Sequence, residues 1–150
     1  MALIQEKWQE ELCLMTNGVL YSTGELILME CALLTQDGKT HVRARPLARS
    51  TLDSVLEFNE NPWTFVTELA SCSSEEGNLR LSCGEGGMGA DGYVAAIRTP
   101  DEQIEWIAFF DCSNPFCSVK ISDGNAVAVS THGHVWTFPI NRPELLTVRP

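Results

Sequence analysis

The dipeptide Asp37-Gly38, between two long β-rich runs, is the feature that most limits how this chain can fold. The runs cover residues 25–35 and 40–46, and an Asp-Gly pair between such runs is typical of a two-residue hairpin turn. The predicted pairs are Leu33 with Val42 and Cys31 with Ala44 on one face, and Glu30 with Arg45 and Ala32 with Arg43 on the other. This pattern predicts an antiparallel hairpin with a core face and a solvent face.

The C-terminal third of the chain predicts a second antiparallel unit, a three-stranded meander with one buried face. Its turns are a three-residue loop at residues 123–125 and a two-residue loop at His132-Gly133. The predicted pairs are Val119 with Val129, Ile121 with Val127, Val129 with Trp136 and Val127 with Phe138. Residues 144–148 can add a final edge strand, because prolines stand before it and not inside it.

Two helices are predicted in the first half of the chain. Apolar residues at Ile4, Trp8, Leu12 and Met15 follow the helical period and predict a helix over residues 2–16. A second, short helix begins after a cap at Ser50 and runs through Phe58. Further strands are predicted at residues 63–69, 78–82, 92–99 and 103–110. We therefore predict one domain, residues 1–150, with an α+β fold that is mainly antiparallel sheet, an N-terminal helix and one short helix.

The chain is acidic: 20 Asp and Glu stand against 10 Lys and Arg, for a formal net charge of −10. Such a charge repels nucleic acid and anionic lipid, and it accelerates association with a basic protein. The sequence has neither the pattern of an export signal nor an apolar run of ~20 residues. We expect a cytoplasmic protein that binds no membrane and no nucleic acid, with its six cysteines as free thiols.

The run Gly84-Glu-Gly-Gly-Met-Gly89 matches the G-x-G-x-x-G pattern of dinucleotide-binding proteins. That pattern binds a pyrophosphate when a helix begins at its end and directs amide groups at the ligand. Here a β-rich run follows at residues 92–99. We therefore predict a flexible or bulged glycine loop and no cofactor.

His132 and His134, together with Cys112 and Cys117, offer the imidazole and thiolate groups that zinc prefers. Their spacing matches no metal-ligand motif, and the hairpin turn already accounts for both histidines, so we predict no metal site. With Asp111, the same residues could supply a nucleophile, a base and an orienting acid. A small Cys/His-dependent enzyme is therefore one alternative function.

Acidic residues are dense between positions 75 and 105, the segment that contains the glycine loop. We predict that Glu75, Glu76, Glu85 and Asp91 are exposed loop residues that receive a basic protein partner. Charge complementarity of this kind steers association and selects the partner.

The size, the acidity, the lack of a catalytic set and the tail segments 109–116 and 135–145 resemble the immunity proteins of bacterial polymorphic-toxin and contact-dependent growth inhibition systems. The resemblance implies a protein that neutralises a cognate, basic toxin domain by stoichiometric binding and occlusion, without catalysis. It assigns no binding residue. Size and acidity are also similar to those of type III secretion chaperones, a second alternative, although those have an α/β fold with a helix near the C-terminus.

Overall fold

The computed structural model describes residues 2–150 and consists mainly of β-strands. Its helices are α1 (Leu3–Gln9), α2 (Leu52–Phe58) and a short 3-10 helix at Pro143–Leu145. Its strands are β1 (Leu12–Leu14), β2 (Gly18–Tyr21), β3 (Glu25–Gln36), β4 (Lys39–Thr51), β5 (Trp63–Phe65), β6 (Thr67–Ser73), β7 (Leu79–Glu85), β8 (Gly92–Arg98), β9 (Gln103–Phe110), β10 (Phe116–Ser122), β11 (Asn125–Ser130), β12 (Val135–Pro139) and β13 (Thr147–Arg149).

The strands form two sheets and a small ribbon, and every pair of neighbouring strands is antiparallel. A seven-stranded sheet has the order β4-β3-β2-β9-β8-β7-β6, so β4 and β6 are its two edges. A four-stranded sheet has the order β10-β11-β12-β13, and β1 pairs with β5 as a ribbon. The predicted α+β class, mainly antiparallel with an N-terminal helix and one short helix, is confirmed.

The seven-stranded sheet buries both faces. One face packs on the four-stranded sheet through a core that is dense in aromatic rings, with Phe110, Trp136 and Phe138 among its members. The other face packs on α1, α2 and the ribbon through residues such as Ile4, Leu52 and Tyr93. Burial of apolar area on both faces accounts for the nearly continuous apolar runs of β8 and β9.

The hairpin around Asp37-Gly38 is confirmed in position and in register. All four predicted pairs are present in β3 and β4, and both turn residues have positive φ, as a type I′ turn requires. Its predicted core face is only partly buried, because Leu33 remains 53% exposed while Cys31 and Ala44 pack against the core. The tip of the hairpin therefore extends beyond the sheet that covers its base.

The meander is present, but the predicted register is wrong at both turns. The two-residue loop lies at Asp123-Gly124, both with positive φ, and the three-residue loop lies at residues 131–133. The observed pairs include Ile121 with Ala126, Val119 with Ala128, Ala128 with Trp136 and Ala126 with Phe138. Alanines opposite the two large rings leave space for them in the core, and this volume match outweighs the burial of valine.

The predicted helix over residues 2–16 is wrong in its second half. The helix ends at Gln9, Glu11 has a φ of 61°, and residues 12–14 form β1 instead. The backbone of β1 pairs with β5, whose hydrogen bonds offset the loss of two helical turns. The second helix is capped by Thr51 and not by Ser50, since the Thr51 hydroxyl accepts the amide of Ser54 at 3.1 Å.

The end of the chain also departs from prediction. Residues 143–145 form the 3-10 helix, and the last strand begins only at Thr147. Among residues 2–150, no helix is long and apolar enough to cross a membrane.

Candidate functional site

The four residues predicted to bind a partner lie at two ends of one strand. Glu75 and Glu76 are exposed in the turn before β7, whereas Glu85 is the last residue of β7 and Asp91 directly precedes β8. A seven-residue strand spans roughly 20 Å. The structure therefore brings Glu85 and Asp91 together but separates them from Glu75 and Glu76.

Asp91 is fully buried, and Glu85 is a half-buried residue at the end of β7, so the prediction that both are exposed loop residues is wrong. Both carboxylate oxygens accept the backbone amide of Met88, at 3.3 Å each. A Cβ atom at Gly86 would collide with the same carboxylate. Asp91 is therefore the internal anchor of the glycine loop. Its hydrogen bonds to the Met88 amide offset part of the free-energy cost of burying the carboxylate.

The glycine loop, residues 86–90, joins two paired strands of one sheet. A strand follows it and not a helix, so the arrangement needed for a dinucleotide is missing from this part of the chain. The loop packs closely on the ribbon: the Gly87 amide donates to Thr64 Oγ1 at 3.1 Å, and an added Cβ would lie 2.9 Å from that oxygen. Glycine is required here because the backbone approaches its neighbours too closely for a side chain.

Three apolar side chains are exposed at this corner of the molecule. Phe65, which follows Thr64 at the end of β5, is 72% exposed, and Met88 in the glycine loop is 64% exposed. Leu69 on β6 is also exposed, and its amide lies beside Gly84, just before the loop. We call Phe65, Leu69 and Met88 the apolar corner. Clustered exposed apolar side chains mark interaction surfaces more often than isolated ones do.

A cavity of about 200 Å³ opens next to the apolar corner, between α1 and the strands β6 to β8. We call it the acidic cleft. Its lining residues are Trp8, Glu11, Val66, Glu68, Arg80, Ser82 and Tyr93. Val66 and Glu68 are chain neighbours of Phe65 and Leu69, so the cleft and the apolar corner lie next to each other along residues 65–69.

The interior of the acidic cleft is aromatic and neutral. Trp8 and Tyr93 meet edge to face with ring centroids 5.7 Å apart, and the hydroxyls of Tyr93 and Ser82 lie 2.8 Å apart. Burial raises the pKa of Tyr93 above its ordinary value, so the phenol keeps its proton at neutral pH. The cleft therefore offers ring faces and hydroxyls, but no phenolate base.

The rim of the acidic cleft is charged. Glu11 and Glu68 are exposed, and Arg80 donates to Glu68 at 3.1 Å and to Glu102 at 3.3 Å. The position of Glu11 follows from its positive φ and from its carbonyl, which accepts the Val66 amide at 2.9 Å. Two carboxylates beside aromatic rings form a suitable site for a cationic side chain.

The sequence did not identify Phe65, Met88, Glu11 or Glu68 as site residues. The position of Met88 between two glycines was a signal, because a side chain in a glycine-rich loop has few neighbouring side chains to bury it. The other three were predicted as ordinary strand or helix positions. Their convergence depends on the pairing of β1 with β5, which no local pattern specifies.

The histidines considered for metal binding or catalysis lie apart from any ligand cluster. His132 Nδ1 contacts the amide nitrogen of Asn114 at 3.2 Å, and His134 Nε2 lies 3.2 Å from the carbonyl of Thr40. Within residues 2–150, neither joins two other His, Cys, Asp or Glu ligand atoms within 4.8 Å. The structure therefore does not bring Cys112 or Cys117 together with a histidine and Asp111, as the catalytic triad considered from the sequence would require.

A larger cavity, about 430 Å³, lies at the other end of β7 and is lined in part by Tyr21, Arg98 and Glu105. Its charged residues neutralise one another, since Arg98 pairs with Glu105 at 3.2 Å. The hydroxyl of Tyr21 donates to the buried carboxylate of Glu144. The charged groups at this cavity therefore already have partners within the protein.

Comparison with known protein sequences gives no indication of the activity of this chain. No protein-family model matches the sequence, and no curated protein sequence matches it.

Proposed function

We propose that this protein is an immunity protein that binds a cognate basic toxin domain in a stoichiometric complex and blocks it by occlusion. The toxin docks on the apolar corner and the acidic cleft. The observation that supports the proposal is that two highly exposed apolar side chains, Phe65 and Met88, lie on adjacent segments beside a cleft whose rim carries Glu11 and Glu68. Such an inhibitor would act in the cytoplasm.

The distribution of charge supports this orientation of the partner. The excess of acidic residues gives the chain its net charge of −10. Four of the ten basic residues, Lys39, Arg43, Arg45 and Arg49, lie on β4, the edge of the large sheet opposite β6. Arg43 and Arg45 pair with Glu30, and Arg49 lies 3.8 Å from Glu25. The β4 edge therefore has little unpaired negative charge, and the β6 side is the more favourable approach for a basic domain.

The apolar corner supplies the affinity that charge alone does not. Exposed acidic groups mainly raise the association rate, whereas a few buried apolar anchors carry most of the binding free energy. The Asp91 anchor and the Thr64 contact hold the glycine loop in place before binding. The backbone that carries Met88 therefore has little conformational entropy left to lose on binding.

The acidic cleft supplies selectivity for a cationic side chain of the toxin. A lysine or arginine that enters it meets the Trp8 ring and the carboxylates of Glu11 and Glu68. Arg80 retains Glu102 as a second partner, so Glu68 can turn to the incoming cation. A cationic side chain held between rings and carboxylates gains both cation–π and charge-assisted hydrogen-bond energy.

The two alternatives have weaker support. A secretion chaperone of the type resembled would have an α/β fold, whereas the structure here is mainly antiparallel sheet. A Cys/His-dependent enzyme needs a nucleophile beside a base, and in residues 2–150 no histidine joins such a group of three.

The direct experiment uses the product of the adjacent gene as the candidate toxin. The double variant Phe65→Ser with Met88→Ser should weaken binding at least ~30-fold, the equivalent of about 2 kcal/mol, because it removes both anchors. Phe58→Ser is the matched control, since Phe58 is 88% exposed but lies on α2. Dissociation constants from calorimetry, together with survival of cells that express the toxin, provide the measurement.

Equal losses from the control and the double variant would contradict the proposed surface. An adjacent gene product that binds with no inhibition, and that is exported with this protein, would favour the chaperone.

A further inference from the structure

A group of three metal-ligating side chains lies where the β3–β4 hairpin meets the segment after β9. Cys31 is on β3, and Asp111 and Cys112 directly follow β9. The Sγ atoms and a carboxylate oxygen all lie within 4.8 Å of one another. It is the one such group found among residues 2–150, and it lies toward the β4 edge of the sheet, away from the acidic cleft.

We propose that Cys31, Asp111 and Cys112 bind Zn²⁺ or an ion of the same class through two thiolates and one carboxylate. Zinc in proteins takes thiolate and carboxylate ligands at about 2.0–2.3 Å in a tetrahedral arrangement. A small closure of the three groups around an ion meets this geometry, and water takes the fourth position. The two sulfur atoms favour zinc over magnesium or calcium, which prefer oxygen ligands.

The residue that would orient the carboxylate ligand is already in place. Asn17 Nδ2 donates to Asp111 Oδ1 at 3.1 Å, and Asn17 Oδ1 accepts the Asp111 amide at 2.7 Å. The Asn17 carbonyl also accepts the amide of Met29, two residues from Cys31, at 3.0 Å. Asn17 thus connects the segment that carries Asp111 and Cys112 to the strand that carries Cys31. Asp111 Oδ2 remains available for an ion. Outer partners of this kind hold metal ligands in position.

The carboxylate of Asp111 lies beside the two thiols, and its negative charge favours a cation at this position. Binding of one Zn²⁺ forms two zinc–sulfur bonds and one zinc–oxygen bond to Asp111, and it releases the two thiol protons to solvent. The occupied group of one dication, two thiolates and one carboxylate therefore keeps one negative charge.

The site would serve as a clip between two elements that are distant in the sequence. The hairpin carries Cys31, and the connection to the four-stranded sheet carries Asp111 and Cys112. An ion that binds only the folded chain stabilises it by mass action. This conclusion does not depend on the proposed toxin-binding surface.

The sequence predicted no metal site because it considered Cys112 with Cys117 and the two histidines. Cys117 instead lies on β10, with its Sγ directed at the carbonyl of Val129 at 3.4 Å. Cys31 was interpreted as a buried core thiol. The three ligands come from segments that only the fold brings together, so their spacing in the chain carries no signal.

The test uses the full chain, reduced and freed of metal with a chelator, and titrated with Zn²⁺ and with Co²⁺. We expect one ion per chain by calorimetry, a rise in the melting temperature with Zn²⁺, and the sulfur-to-metal absorption of a thiolate–cobalt complex. Cys31→Ser and Cys112→Ser should abolish all three signals, and Asp111→Asn should weaken binding at least ~10-fold. Cys72→Ser and Cys117→Ser are matched controls that should retain the site, because neither belongs to the group.

Folding of the variants is checked in the metal-free state by circular dichroism. If a serine variant at Cys31 or Cys112 does not fold, the test uses Asp111→Asn and Asn17→Ala instead, because Asp111 is exposed and Asn17 is only half-buried. Both variants should bind Zn²⁺ more weakly than the parent. The proposal is overturned if the parent binds Zn²⁺ no more tightly than the variants. It is also overturned if Cys31 and Cys112 form a disulfide on purification and the reduced chain binds no ion, which would identify a redox pair instead.

Discussion

Asp91 and Met88 are coupled through the backbone: the fully buried carboxylate of Asp91 accepts the Met88 amide, and the Met88 side chain is thereby left 64% exposed. A charge inside the protein thus sets the position of an apolar side chain outside it. This relationship connects the stability of the glycine loop to the proposed binding surface, and it can be tested on both properties.

Asp91→Ala should lower the free energy of unfolding by about 1–3 kcal/mol, because it removes a charge-assisted hydrogen bond from a buried site. Gly86→Ala should also destabilise the protein, since its Cβ collides with the Asp91 carboxylate. In the Asp91→Ala background the cost of Gly86→Ala should shrink. Urea unfolding of the two single variants and the double variant measures this coupling. Additive effects would show that the carboxylate does not occupy the space beside Gly86.

The register of the meander can be tested at Ala128. This residue is fully buried opposite Trp136, so Ala128→Val should destabilise by about 1–3 kcal/mol through overpacking. Val129→Ala should cost less, because Val129 is only partly buried. In the register predicted from the sequence, Val129 would face Trp136 and the order would reverse. Chemical denaturation of both variants distinguishes the two registers.

Trp136 itself should be a major contributor to stability. Its ring lies 4.9 Å from that of Phe110 and 5.3 Å from that of Phe116, and Trp136→Ala should cost about 3–5 kcal/mol. Trp136→Phe should cost clearly less, because it keeps an aromatic ring in the core and, like alanine, removes the indole N–H, which is buried without a hydrogen-bond partner. Thermal and urea unfolding provide the comparison. Equal costs for the two variants would show that packing of an aromatic ring at this position contributes little to stability.

Stability should fall as pH rises above about 8.5, the ordinary pKa of a cysteine in an unfolded chain. Burial raises the pKa of Cys83 to about 12, so in the interval between these values the unfolded chain loses a proton that the folded chain keeps. Unfolding then becomes easier by up to about 1.4 kcal/mol per pH unit for each such thiol. Below this interval both states hold the proton, and the effect vanishes.

Urea unfolding at about pH 8 and about pH 10 measures this slope. Cys83→Ala should be less dependent on pH than the parent over the same interval. Cys117→Ala is the control, because Cys117 is exposed. An identical slope in all three proteins would exclude Cys83 as a source of the alkaline instability.

Charge reversal can be compared at the two ends of β7. If the toxin docks at the acidic cleft, Glu68→Lys with Glu85→Lys should slow association about ten-fold or more at low salt, and high salt should reduce the difference. Glu75→Lys with Glu76→Lys carries the same change in charge to the opposite end of the strand. It should have a smaller effect, arising from net charge alone. Stopped-flow rates at two salt concentrations for both pairs decide which end receives the partner, and a larger effect at Glu75 and Glu76 would move the docking surface there.

Several elements were predictable because their determinants are neighbours in the chain. The Asp37-Gly38 turn imposed positive φ on two adjacent residues and set all four predicted pairs of β3 and β4. The strands β8 and β9 were recognisable as apolar runs on either side of Pro100-Asp101. The meander shows where this reasoning stops, since two adjacent turns each permitted two loop lengths. The choice between them depended on the volume available around Trp136 and Phe138.

By itself, then, the sequence determined the antiparallel α+β class, the main hairpins and the acidic charge, because turn chemistry, side-chain alternation and composition are local properties. The tertiary structure alone decided that residues 12–14 form a strand, that Asp91 is buried, that the glycine loop packs on β5, and that Cys31 lies beside Asp111 and Cys112. These outcomes depend on pairing and packing between segments far apart in the chain. There the free energy of burying a shared surface outweighs the preference of either segment taken alone.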